Sequence, residues 1–89
     1  MTNTQTTETI PGLATMTVYE IADVIRKDWK KVYFGAVPYL DALRSMTNVV
    51  DNYGDDSGKS IVLYFLANAA TWRGPVAKAV KEELKKRTK

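Results

Sequence analysis

The run Ile61-Val62-Leu63-Tyr64-Phe65-Leu66-Ala67 most narrows what this chain can become. It is apolar nearly all round, yet far shorter than the roughly 20 residues needed to cross a bilayer. Such a segment must lie in the middle of a fold or against another subunit. Read as a helix, Ile61, Val62, Phe65, Leu66, Ala69 and Trp72 form one wide face, with Leu63 and Ala70 beyond its edge. Tyr64, Asn68 and Thr71 make a narrow polar wedge. A buried strand over 61–66 is the rival, but Ala67, Ala69, Ala70 and the helical placement of Trp72 favour the helix.

The rest of the chain offers little room to hide that run. Eighty-nine residues allow one domain and no second core. Area scaling gives roughly 5,200 Å² exposed when folded and burial of about 64% of the unfolded surface. Domains of this size leave only a few kcal/mol of net stability and gain by self-association. A deep enzymatic pocket would subtract from the core, so size favours a binding or assembly protein over an enzyme. With no Cys there is no thiol nucleophile or thiolate metal site, and with no His a general base or zinc centre would depend on carboxylates. Neither cofactor nor metal is expected.

Punctuation divides the remainder. Residues 1–15 read as a flexible tail: the Thr-rich start has no hydrophobic period and ends at Pro11-Gly12. It lacks the basic start and long apolar stretch of a signal peptide. Residues 16–89 form the single helical domain. Thr17 and Glu20 make a capping box, with Met16 and Ile21 as the staple around it. Val18, Ile21, Ala22, Ile25, Trp29 and Val32 then share a face, which predicts a first helix over 18–32. A turn around Gly35 leads to Pro38, and Tyr39, Leu43, Met46, Val50 and Tyr53 predict a second helix over 38–52. Asp55 to Ser60 connects to the third helix; Arg73-Gly74-Pro75 ends it and opens a fourth that frays after Arg87. The expected fold is an all-α, compact bundle of about four short helices behind a disordered N-terminal tail.

Two motifs imitate catalytic or metal sites and fail. Gly54-Asp55-Asp56-Ser57-Gly58-Lys59-Ser60 is one residue short of a phosphate-binding loop. It follows a segment read as helix where a strand is required, and its Asp pair sits where phosphates must lie. Capping explains it better. A calcium loop starting at Asp51 would need a bidentate Glu at its twelfth position, which is Val62.

Contacts remain. Residues 1–53 carry net −1 and residues 54–89 net +4. Arg73, Lys78, Lys81 and Lys85, with Lys59 and Lys89 as additions, form a stripe able to follow phosphates or an acidic partner; a solubilising face is the plainer reading. The first two helices also suggest a helix-turn-helix, but Asp41, beside Arg44 and Ser45, would face DNA with the wrong charge. Trp29, Tyr39, Tyr53, Phe65 and Trp72 fall on core faces. Tyr33 and Phe34, in the Gly35 turn, are a candidate partner anchor, and Tyr64 with Asn68 is a second candidate contact strip.

The motifs from Val37-Pro38-Tyr39-Leu40-Asp41-Ala42-Leu43, through Asp51-Asn52-Tyr53-Gly54-Asp55-Asp56-Ser57-Gly58, to Ala67-Asn68-Ala69-Ala70-Thr71-Trp72-Arg73-Gly74 resemble small proteins of unknown function encoded by bacteriophages and prophages of actinobacteria. The resemblance spans about residues 18–86. It implies an accessory protein acting in the cytoplasm of a bacterial host and transfers no catalytic residue. The expectation is therefore a non-enzymatic interaction protein with a protein partner or itself, a homodimer formed through the third or fourth helix. Nucleic acid is the alternative partner, and no membrane is expected.

Overall fold

The computed structural model describes residues 10–49, 52–53 and 56–89. Four α-helices carry the fold: α1 (Val18–Asp28), α2 (Val37–Leu43), α3 (Gly58–Ala67) and α4 (Pro75–Arg87). Short 3-10 turns at Leu13–Thr15 and Phe34–Ala36 precede α1 and α2. An antiparallel bridge of two residues a side, β1 (Asn52–Tyr53) and β2 (Asp56–Ser57), leads into α3. The expected all-α bundle is what the chain forms.

Helix α1 begins where its capping box predicts, and every N–H of its first turn finds an acceptor. Thr17 N–H donates to the Glu20 carboxylate at 2.8 Å, and Glu20 N–H donates to the Thr17 hydroxyl at 3.2 Å. The two between them, Val18 and Tyr19, donate to the carbonyls of Thr47 and Met46 at 2.9 and 2.8 Å. An α-helix leaves four such donors without an internal acceptor, so the accounting closes.

That arrangement explains the largest departure from the sequence reading. The second helix stops at Leu43 instead of running to residue 52. Ser45 and Met46 N–H groups bond back only three residues, to Ala42 and Leu43. The chain then turns so that the Met46 and Thr47 carbonyls face α1; a continuing helix would point them along its own axis. Met46 is still buried, so the apolar position was read correctly and the helix around it was not.

Helix α1 is shorter than expected for a related reason. It ends at Asp28, and Trp29 is extended (φ −90°, ψ 91°). This backbone lets Trp29 lie flat on Trp72, with ring centres 5.7 Å apart and planes 11° from parallel. Phe65 meets Trp29 edge-on at 6.2 Å. The third helix stops at Ala67, so Trp72 is buried from a turn and not from the expected helical face. Gly74 does not close that helix. It precedes α4 with φ 112°, a backbone that L side chains rarely adopt, and Pro75 follows at the first position.

The core gathers Ile21, Ile25, Leu43, Met46, Phe65, Val62, Val80 and Leu84, all with almost no exposed surface. Fully burying such side chains stabilises by about 1.5–3 kcal/mol each. The flexible tail is shorter than expected at its inner end. Ile10 and Leu13 are buried in the core and the Leu13–Thr15 turn is ordered on it; residues 1–9 of that expectation lie outside the described residues.

Arg87 on α4 holds this N-terminal segment. Its guanidinium donates to the carbonyls of Met16 (2.8 Å), Leu13 (3.1 Å) and Ala14 (3.2 Å), and to the Glu83 carboxylate at 2.7 Å. Glu83 is itself buried, so the pair is a partly desolvated joint and not a surface ornament. Arg87→Met keeps an alkyl stem but removes a donor from three carbonyls and from a buried carboxylate that retains only Lys86 at 3.7 Å. We expect it to lower unfolding free energy by about 2–4 kcal/mol in urea titration, with the 10–16 amides losing hydrogen-exchange protection first. Unchanged protection there contradicts the assignment.

Candidate functional site

Two surfaces hold the residues singled out from sequence. The first joins the segment before α2 to the outer face of α3. Among the described residues the large exposed apolar side chains are Tyr19, Tyr33, Phe34, Val37, Leu63 and Tyr64; Tyr33 and Phe34 belong to the segment before α2, Val37 opens α2, and Leu63 and Tyr64 lie on the outer face of α3. Phe34 is 79% exposed, and its ring packs on that of its neighbour Tyr33 with ring centres 4.8 Å apart.

The structure brings these positions together at two points. Tyr39 on α2 meets Tyr64 on α3, ring centres 5.4 Å apart. Beside them Gly35 lets the Tyr33 ring approach Asn68: a Cβ at residue 35 would stand 2.5 Å from the Tyr33 ring and 2.9 Å from Asn68 Oδ1. Asn68 is half-buried and donates its amide to the Tyr64 carbonyl at 2.9 Å, closing the C-terminus of α3. Its first role is therefore structural. Helix α3 is not covered on all sides: Ile61, Val62 and Phe65 face the core, while Leu63, Tyr64 and Ala67 face outward.

The second surface is the basic side of α4. Arg73, Lys78 and Lys85 are exposed, as expected. Lys81 is not part of that open stripe. Its ammonium donates to the carbonyls of Ala69 at 2.7 Å and Trp72 at 2.6 Å, and lies 5.9 Å from the centre of the Trp72 ring. The Ala69 carbonyl also accepts from Trp72 N–H at 3.0 Å within the turn, and Lys81 adds a second donor there and reaches the Trp72 carbonyl. Burial, then the positive charges of Lys85 and Arg73, hold its pKa below the ordinary lysine value. The sequence reading missed this role because a lysine at a helix spacing looks like any other surface cation.

Other candidates separate. Lys59 is exposed on the first turn of α3, whose cap is Ser57 accepting from Ser60 N–H at 3.2 Å. The segment before it is the antiparallel bridge, neither the expected helix nor the parallel strand a phosphate loop needs. The side chains of Asp51, Tyr53 and Asp55 lie outside the described residues. Asp41 and Arg44 pair with each other at 3.9 Å, and α2 has only seven residues, too few to enter a major groove as a reading helix. Among the described residues no cluster of acidic side chains is arranged to hold a metal ion, and no helix is long and apolar enough to cross a membrane.

Lys81→Met tests the structural role. Losing the donor to two carbonyls is expected to destabilise by about 1–3 kcal/mol. The pH dependence has a definite sign. A lysine whose pKa is lower in the folded state holds fewer protons there than in the unfolded chain between the lowered value and 10.5. The wild type therefore gains stability relative to Lys81→Met as pH rises through that window. Urea titrations of both proteins at neutral and alkaline pH read the difference, and a gap that shrinks on raising pH contradicts it.

Comparison with protein-family models, with curated proteins and with solved structures finds no match for this chain.

Proposed function

We propose that this chain is a small non-enzymatic interaction protein that pairs with a second copy through the outer face of α3. The observation that carries this reading is that Leu63 and Tyr64 stand exposed on α3 while Tyr33, with Phe34 packed on it, lies beside Asn68 at the end of the same helix, in a domain this small. Exposed apolar residues scattered singly need no explanation, whereas a contiguous group of aromatic and aliphatic side chains has the composition of an interface core. Helix α3 suits the role better than α4, whose apolar residues Ala77, Val80 and Leu84 are already buried within the chain. The resemblance to proteins of actinobacterial phages adds a setting: an accessory protein in the cytoplasm of a bacterial host.

Light scattering after size exclusion is the test. The wild type is expected to elute as a dimer at high micromolar concentration, and Leu63→Glu or Tyr64→Glu as a monomer with an unchanged far-ultraviolet spectrum. A monomeric wild type contradicts the reading.

The alternative is a nucleic-acid contact through Arg73, Lys78 and Lys85, which is supported by the influence of both Arg73 and Lys85 on Lys81 and hence by their closeness. Phosphate contacts release counterions, so such binding weakens steeply with salt. A DNA fragment shifted at low salt and released by Lys78→Glu with Lys85→Glu would favour it. Absence of any shift at low salt removes it. Lys81→Glu is a poor probe here because it also breaks the turn that follows α3.

A further inference from the structure

We propose that the groove between the end of α1 and the start of α2 docks an acidic segment of a different protein, which inserts one large apolar side chain. The groove encloses about 230 Å³, and Trp29, Val32, Val37 and Leu40 give it an apolar lining. Small-molecule sites occupy about 300–1,000 Å³, so this volume suits a single side-chain anchor of the kind that dominates binding energy at protein interfaces.

Charge identifies the occupant. Arg26 and Lys30 line the groove and Lys31 follows them, all exposed; among the described residues none of the three has an ion pair or hydrogen-bond partner. Lys27 pairs with Asp23 at 3.1 Å and Arg44 with Asp41 at 3.9 Å, while Asp28 accepts from the Trp72 indole at 2.8 Å and keeps its negative charge, which three unpaired cations outweigh. The uncompensated charge at this site is thus positive and complements an acidic segment.

A larger hollow of about 490 Å³ beside Met16 and Tyr19 differs in this respect. Its charged residues are Glu20, Asp23 and Arg44, and each is engaged within the chain. The apolar lining of the α1–α2 groove favours a protein side chain over a phosphate backbone. The inference rests on the interaction-protein reading but not on self-association through α3.

The test is fluorescence anisotropy with a dye-labelled peptide of Glu and Asp residues around one central Phe. Saturable binding is expected, weakened about tenfold or more by Arg26→Glu with Lys30→Glu, and similarly by replacing the peptide's Phe with Ala. Val37→Asp, which changes the apolar lining, is expected to act the same way, while Lys78→Glu with Lys85→Glu leaves binding unchanged. Circular dichroism of each variant confirms its fold. No saturable binding overturns the proposal, as does equal binding of a peptide carrying Lys in place of Glu and Asp. Displacement of the bound peptide by an oligonucleotide, or loss of dimer in the Arg26→Glu, Lys30→Glu protein, assigns the groove to another occupant and also overturns it. A dimer that ignores the peptide leaves self-association standing, and a monomer that binds it does the reverse.

Discussion

The stacked pair Trp29 and Trp72 is the joint on which the arrangement of the helices depends. Each ring is supplied by the end of a helix and not by its middle: Trp29 follows α1, and Trp72 lies in the turn after α3. Phe65 closes the pair from the edge, the Trp72 indole reaches Asp28, and the Lys81 ammonium of α4 lies near the second ring. Three of the four helices thus converge on one aromatic contact. Offset and edge-to-face aromatic pairs contribute about 0.5–1.5 kcal/mol beyond the area they bury, which is a meaningful share of the stability of so small a domain.

Once the aromatic joint is placed, backbone polar groups decide where the helices stop. The α1 donors take the carbonyls of Met46 and Thr47, so α2 ends early; the carbonyls of Ala69 and Trp72 take Lys81; those of Leu13, Ala14 and Met16 take Arg87. Two cations on one helix therefore fasten the two irregular stretches of the chain. The Leu13 and Ala69 carbonyls also accept from Met16 and Trp72 N–H groups, so the cations complete turns that the backbone has begun to close.

What the sequence made legible follows the same division. Local signals were readable: the Thr17–Glu20 capping box, the Pro75 start of α4, and the inward faces of Ile21, Ile25 and Phe65 all stand where spacing placed them. Contacts across long sequence separations were not. Nothing local to residues 44–49 announces that two of their carbonyls serve α1, and periodicity through Met46 imitated a continuing helix. The same blindness hid the reach of Arg87 across 71 residues to Met16 and of Lys81 to the turn before α4. Of the candidate site residues, Tyr33, Phe34 and Tyr64 are exposed as anticipated, Asn68 is largely taken up by the end of α3, and Lys81 belongs to the fold.

Function, in this account, resides in what the fold leaves over. The core uses most of the apolar residues, yet an aromatic flank around Tyr33, Phe34 and Tyr64 remains open. Backbone amide chemical shifts followed from dilute to concentrated protein test the central claim, that this flank is the self-association surface. Shifts concentrated at residues 33–37 and 63–68, with those of 76–85 unmoved, are the predicted result. Concentration-independent spectra, or changes confined to the basic side of α4, would contradict it.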